Sequence, residues 1–273
     1  MTMTDVATPA LRHHPIALVP AGLVSLSAVF LFWLEWRPLG YLPLVLGIAI
    51  GFVVHRALGR DLLLIGLGLS IISTISLKAD ISYLNIVIMG TVLALAVVIP
   101  YVGSRFVFKE HIVRFPIRTG QKWTKLEKFY LVAVVGLGYL ILPLYFIGTG
   151  AYLNWPAVSA PDELARLFVG VNAVGIWDEL FFICTCFALL RRHFPMWQAN
   201  LLQAVIFVSF LYELGYKGWG PLMTFPFALL QAWTFTKTRS LTYVVCVHLI
   251  FDLVVFLVLV HAHNRDWLAI FLY

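Results

Sequence analysis

Apolar residues occur along the chain in nine long runs, separated by segments that hold most of the charged residues. A predominantly apolar run of about 20 residues is the length of a helix that crosses the hydrocarbon core of a bilayer. The pattern therefore predicts an all-α polytopic membrane bundle with about nine transmembrane helices. The expected spans are residues 15–35, 38–57, 61–77, 82–103, 129–153, 165–190, 197–215, 220–237 and 241–262.

Composition agrees with a membrane protein. The chain is 62% hydrophobic and 12% charged, whereas a soluble domain is about half apolar and a quarter charged. Cys184, Cys186 and Cys246 all lie in apolar runs, which favours small buried side chains over a disulfide framework. No small-residue cleavage site follows the first run, so we expect a retained first helix and not a signal peptide.

The distribution of basic residues predicts an orientation. Of the 19 Lys and Arg residues, 14 fall in the N-terminal segment, where Arg12 lies, and in every second loop after it. Cytoplasmic loops are enriched in Lys and Arg. We therefore expect an integral protein of the plasma membrane with a cytoplasmic N-terminus and an external C-terminus.

The basic stretch 104–128 divides the chain. We predict an N-terminal four-helix membrane region over residues 1–125, and a second membrane domain over 126–273 that holds nearly all the buried polar groups. Basic residues interleaved with aromatic ones, as in this stretch, occur in RNA-binding segments. In a membrane protein of net charge +6, we favour contact with anionic lipids and expect no nucleic-acid partner.

Two carboxylic acids lie in the middle of one predicted span. Asp178 and Glu179 fall within the apolar run Val174–Arg192. Each charged residue costs about 2.5–3.5 kcal/mol at the centre of a bilayer on insertion scales, so such residues usually face the protein interior and take part in function. His248 and Asp252 are four apart on a later span, so they share one helix face, where the carboxylate can orient the imidazole.

Glu213 completes the predicted polar centre, although an interfacial position is an equal alternative. At 1.5 Å per residue, Glu213 lies roughly 30 Å from the cytoplasmic end of its span and Asp178 roughly 20 Å from the end of its own. Gln231 is a minor polar candidate. The predicted catalytic set is Asp178, Glu179, Glu213, His248 and Asp252.

A site with four acids and one imidazole needs either protonated acids or a bound cation. Oxygen-rich ligands favour Mg²⁺ or Mn²⁺ over softer metals. A divalent metal held by Glu179, Glu213 and His248 is therefore one hypothesis for this site.

These motifs resemble those of the CAAX protease and bacteriocin-processing (CPBP, or Abi) family of intramembrane proteases. The family pattern is E-E-x-x-x-R on one helix, F-x-x-x-H on the next, and H-x-x-x-N or H-x-x-x-D on a later one. Here the first motif corresponds to Asp178–Ile183 and the third to His248–Asp252. The resemblance covers about residues 126–260.

The chain departs from the family pattern at three places. Asp178 replaces the first glutamate, and Ile183 replaces the arginine. The histidine of the second motif is absent: alignment by spacing puts Glu213 at its position, and alignment on Phe207 puts Leu211 there.

The resemblance implies an intramembrane endopeptidase that cleaves a membrane-associated peptide or protein by an activated water. Asp178 or Glu179 would be the general base, and His248 would bind the water or carbonyl with Asp252 as its partner. The lost arginine and histidine favour an alternative, a catalytically inactive membrane scaffold or binding protein. A third possibility is an ion-coupled carrier, since buried acids and histidines also form proton relays.

Overall fold

The computed structural model describes residues 15–272, and over this range the chain is all-helical, as predicted. Arg12, used in the orientation argument, lies outside the described residues. The nine helices are α1 Pro15–Trp33, α2 Arg37–Val54, α3 Arg56–Ile72, α4 Tyr83–Val107, α5 Lys125–Gly148, α6 Pro161–Arg191, α7 Met196–Leu214, α8 Gly220–Thr238 and α9 Leu241–His263.

Six of these helices, α1, α2, α4, α5, α6 and α9, are long and apolar enough to cross a membrane. Helix α3 has only 17 residues. Helices α7 and α8 carry buried polar side chains, among them Asn200, Gln203 and Gln231. The polytopic helical bundle predicted from the sequence is thus confirmed over the described residues.

Helix starts differ from the predicted spans by a few residues because polar residues extend the helices beyond the apolar runs. Helix α5 begins at Lys125 because Thr124 and Glu127 form a reciprocal capping box, which satisfies N–H groups that lack helical partners. Helix α6 begins at Pro161, whose fixed φ suits the first helical position.

Helix α6 lies at the centre of the bundle. Of its most apolar window, 72% is buried, against 22% for α2 and for α4. Its aromatic side chains pack in stacks: Trp177 on Phe181 with ring centroids 5.1 Å apart, and Phe182 on Phe207 of α7 at 4.4 Å. The Trp177 Nε1–H donates to the Leu93 carbonyl oxygen of α4 at 2.6 Å, so α6 is fixed against both halves of the chain.

The middle of α6 is π-helical over Glu179–Phe187. A π-helix pairs each N–H with the carbonyl five residues earlier, and π segments are frequent at functional sites. The π segment begins at Glu179, so the backbone geometry changes at the acidic pair.

At one end of the bundle, ion pairs and loop contacts join four segments distant in sequence. Asp61 of α3 lies 2.6 Å from His193 Nε2, and Arg192 pairs with both Asp61 and Glu110. The Leu241 N–H donates to the Pro116 carbonyl oxygen at 3.0 Å. The basic loop after α4 therefore packs against the ends of α3, α6 and α9.

At the other end, a second ion pair joins the two halves. Glu213 Oε1 accepts hydrogen bonds from Arg37 Nη2 and from the Leu77 N–H, both at 3.1 Å. Arg37 also donates to the Ile75 carbonyl oxygen at 2.6 Å. The division into residues 1–125 and 126–273 stays a prediction, and contacts at both ends hold the two parts together.

Candidate active site

Four of the five predicted site residues lie together, with three carboxyl groups around the imidazole of His248. His248 Nδ1 lies 2.7 Å from Glu179 Oε1, and His248 Nε2 lies 3.7 Å from Asp178 Oδ2 and 3.8 Å from Asp252 Oδ1. All four side chains are buried, none more than 5% exposed. The structure therefore brings together three carboxyl groups and one histidine in the protein interior.

Local helix geometry explains this arrangement. Neighbouring residues on a helix point about 100° apart, so Asp178 and Glu179 cannot approach the same side of a partner. They instead reach the two nitrogens of an imidazole that lies between them. Asp252 follows His248 by one turn of α9, as the four-residue spacing predicts.

Gln231 of α8 fixes Glu179. Its Nε2 donates to Glu179 Oε1 at 2.6 Å and to the Val244 carbonyl oxygen at 3.1 Å, and its side chain is fully buried. Because a carboxylate only accepts, Glu179 Oε1 also receives the Nδ1–H of His248. The imidazole therefore presents Nε2 to the other two acids. Gln231 thus has a larger role than the minor one predicted, and its only signal in the sequence is an amide in an apolar helix.

A cavity of about 470 Å³ opens beside this group. Asp178, His248 and Asp252 line it, together with Leu211 and Tyr216. Its wall also includes residues of α4 and α6, which are Ile86, Met89, Leu93, Val97, Gly170 and Val174.

Polar atoms of the site remain available for a ligand. Asp178 Oδ1, Glu179 Oε2 and Asp252 Oδ2 are buried and have no hydrogen-bond partner among the described residues. His248 Nε2 lies beyond direct hydrogen-bond distance from both Asp178 and Asp252, and a water on the cavity side of these atoms can bond to all three groups. The geometry suits a water bound between the imidazole and these two acids.

Gly175 of α6 allows α9 to approach this closely. A Cβ added at Gly175 would overlap Asp252 Oδ2 and would lie 3.1 Å from His248 Cδ2. Only glycine lacks this atom. The position of Asp252 therefore depends on the absence of a side chain one turn before Asp178.

The structure does not bring Glu213 into this group. Its hydrogen bonds go to Arg37 and to the Leu77 N–H, and it is absent from the cavity lining. The prediction of a single five-residue centre is therefore corrected: a basic partner from α2, 176 residues earlier, holds the Glu213 carboxylate. The greater depth of Glu213 along its helix is consistent with this separation.

We expect Glu213→Ala to destabilise the fold by about 1–3 kcal/mol, because the buried Leu77 N–H would lose its acceptor. Titration with a denaturing detergent in mixed micelles measures this free energy of unfolding. Glu213→Gln keeps an acceptor oxygen and should lose less. Equal stability of Glu213→Ala and the unaltered protein would show that the Arg37 pair does not hold the two halves together.

The metal hypothesis is not supported by the arrangement of ligands. Over residues 15–272, no group of three or more His, Cys, Asp or Glu side chains is placed to hold a metal ion. Of the expected ligands, Glu179 and His248 are adjacent, whereas Glu213 pairs with Arg37.

The structure favours one of the two alignments of the second motif. The Phe207 ring lies 6.2 Å from the His248 ring, and Leu211, one turn later, lines the cavity beside the acids. Leucine thus occupies the position at which the resemblance leads one to expect a histidine. Ile183, at the position of the expected arginine, is fully buried in the apolar core.

Comparison with known proteins identifies a similarity over this part of the chain. Residues 160–254, which span α6 to most of α9, match the family model described as type II CAAX prenyl endopeptidase Rce1-like. This confirms the resemblance seen in the motifs. No curated protein and no solved structure matches the chain.

Proposed function

We propose that this chain, whose residues 160–254 resemble the type II CAAX prenyl endopeptidase Rce1-like family, is an intramembrane endopeptidase that cleaves a membrane-associated peptide or protein. One observation carries the proposal: a buried imidazole fixed by Glu179 presents its free nitrogen, with Asp178 and Asp252, to an apolar cavity. Such a site can hold a water beside an apolar substrate segment and exclude bulk solvent.

The geometry supports different roles for the two adjacent acids. Glu179 Oε1 already accepts from Gln231 and His248, so Glu179 orients the imidazole. Asp178 retains an unpaired oxygen in the cavity wall and is the better general base. The water binds between His248 Nε2, Asp178 and Asp252.

The reaction then follows the course of a peptide hydrolysis. The water oxygen attacks the carbonyl carbon, and Asp178 accepts the proton that the water loses. The C–N bond of the tetrahedral intermediate breaks, and the proton passes from Asp178 to the departing amine. The products are a carboxylic acid and a free amine, which become a carboxylate and an ammonium group when the acid proton passes to the amine, and Asp178 returns to its starting state.

Hydrolysis in isotopically labelled water tests the proposal. The purified protein would be reconstituted in liposomes with a library of peptides that carry a hydrophobic anchor, in water enriched in ¹⁸O. We expect cleavage products with ¹⁸O in the new carboxyl group, detected by mass spectrometry. If the Asp178→Asn protein formed the same products at the same rate as the unaltered protein, the cleavage would come from a contaminating protease and the proposal would be refuted.

The close approach at Gly175 provides a second test. Gly175→Ala should lower kcat by about 10²-fold, because a displacement of about 1 Å at a reacting group costs that much. The same liposome assay measures the effect. Gly136→Ala, at a position with nothing within 4 Å, is the matched control. Full activity of Gly175→Ala would show that the position of Asp252 is unimportant.

The alternative function, an inactive membrane scaffold, is favoured by the residues at two motif positions. Leu211 and Ile183 stand where the resemblance leads one to expect a histidine and an arginine. A scaffold would bind its membrane partner through the same cavity and would not need the acids. Two results together would favour the scaffold: the Glu179→Gln protein still binds a co-purifying partner, and neither the unaltered protein nor any variant cleaves a peptide.

We also propose that the end of the bundle that holds the basic loop faces the cytoplasm and contacts anionic lipids. The seven basic residues of the loop are all exposed, namely Arg105, Lys109, Arg114, Arg118, Lys122, Lys125 and Lys128. Three of its four aromatic rings pack on the protein: Phe108 under Arg60, Phe115 beside Tyr101, and Trp123 against Tyr243. Rings held in this way are poorly placed to stack on bases, which favours lipid over nucleic acid.

A further inference from the structure

Tyr216 is a cavity residue that the sequence motifs do not include. It lies in the turn between α7 and α8, and its partly exposed side chain lines the cavity together with Asp178, His248 and Asp252. No described residue forms a hydrogen bond with its hydroxyl group. The neighbouring Tyr145, by contrast, donates its hydroxyl hydrogen to the Lys217 carbonyl oxygen at 2.7 Å.

Aromatic packing holds the Tyr216 ring in place. Its ring is parallel to that of Tyr145, with centroids 6.3 Å apart, and meets the edges of Phe146 at 5.5 Å and Trp155 at 5.4 Å. Gly215 has φ of +137°, and a Cβ there would strike the Trp155 ring. The backbone before Tyr216 is thus specific to glycine, which fixes where the phenol enters the cavity.

The phenol is suited to donate a hydrogen bond. Desolvation in the cavity wall, and then the charges of Asp252, Tyr145 and Asp178, raise the pKa of Tyr216 well above its ordinary value. The O–H therefore stays protonated at neutral pH. The carboxyl groups of the cavity wall accept hydrogen bonds when they are ionised.

Several other donors of the cavity wall are bound or lie far from the acids. Asn85 Nδ2 donates to the Asp80 carbonyl oxygen, and the Trp177 Nε1–H donates to the Leu93 carbonyl oxygen. Arg166 pairs with Asp162 through Nη1, and its Nε–H has no partner among the described residues, but Arg166 precedes Asp178 by twelve residues, about 18 Å along α6. Leu211 has no polar side-chain atom. A hydrogen-bond donor at its oxygen stabilises a peptide carbonyl that gains negative charge during attack, and the Tyr216 hydroxyl lines the same cavity as the acids and has no partner among the described residues.

We infer that the Tyr216 hydroxyl donates a hydrogen bond to the carbonyl oxygen of the scissile peptide bond and stabilises the negative charge that forms there. The inference rests on the proposed function, since it assigns a role within the same reaction. It makes Tyr216 a catalytic residue that contacts the substrate, supplied by the α7–α8 turn and not by one of the three motifs.

Infrared spectroscopy tests this contact without turnover. The probe is an anchored peptide whose scissile amide is replaced by a ketone with a ¹³C=O group, which binds but has no C–N bond to break. In the unaltered protein we expect the carbonyl band at lower wavenumber than with Tyr216→Phe, which keeps the ring and loses only the hydroxyl. Tyr212→Phe is the control, because Tyr212 stacks on Trp33 and is absent from the cavity lining.

Kinetics separate this inference from the proposed function. Loss of one oxyanion donor lowers kcat by about 10²–10³-fold, and we expect a loss in this range for Tyr216→Phe, with little change in KM. The same carbonyl band and the same kcat in Tyr216→Phe and the unaltered protein would overturn the inference. If Asp178→Asn still abolished cleavage in that case, the proposed function would stand without Tyr216. If the unaltered protein cleaved nothing and the band did not shift, both would fail.

Discussion

Replacing Asp178 by asparagine is expected to lower kcat by up to about 10⁴-fold, the upper end of the effect of a general base. Asparagine has nearly the same size but cannot accept the proton that the attacking water must lose. Substrate binding depends on the apolar cavity and should change little. Initial rates with a cleaved peptide in liposomes measure kcat and KM separately.

The control for this substitution is Asp266→Asn, an exposed aspartate after α9, which should leave kcat unchanged. Detergent titration would establish that Asp178→Asn is folded. A folded Asp178→Asn protein with kcat within threefold of the unaltered one would rule out Asp178 as the base. Asp252, the other acid next to His248 Nε2, would then be the candidate.

Replacing Glu179 by glutamine is expected to lower kcat by about 10³-fold, somewhat less than the roughly 10⁴-fold cost of the comparable substitution in a Ser-His-Asp triad. Glutamine lacks the negative charge that keeps the proton on Nδ1 of His248. Its amide can also place an N–H opposite the Gln231 amide, which already donates a hydrogen bond at this position. The imidazole then loses its fixed tautomer. Nitrogen NMR of labelled histidine reports which ring nitrogen carries the proton.

This second prediction has its own control in Glu35→Gln, since Glu35 is exposed and pairs only weakly with Lys78 at 3.5 Å. We expect a changed nitrogen spectrum together with the loss of rate. A loss of rate with an unchanged tautomer would mean that Glu179 acts directly as the base, and the roles of the two acids would be exchanged.

The sequence is sufficient to predict the helices and four polar residues that the structure brings together. Long apolar runs determine where helices form in a bilayer, and acids inside such runs must turn toward the protein interior. The four-residue spacing placed His248 and Asp252 on one face of α9, where the structure has them. These features depend on residues close together in the chain, so local patterns reveal them.

The remaining features depend on partners that are distant in the chain. Glu213 pairs with an arginine at the start of α2, and no local pattern distinguishes this ion pair from a catalytic role. Gln231 and Tyr216 are ordinary residues in the sequence, and only the packing of α8 and of the α7–α8 turn brings them to the acids. The π segment that begins at Glu179 likewise has no evident signal in the residue pattern.

The composition of the cavity wall bears on how such a protein could diversify. The reactive groups lie within residues 160–254, whereas much of the facing wall comes from α4, Tyr83–Val107, outside the family match. Substitutions along α4 can therefore reshape the space that a substrate fills without altering any group that handles protons. Under the proposed function, the reactive groups and one side of the substrate space come from separate stretches of the chain, so we expect relatives that share the acids and the histidine to accept different membrane peptides.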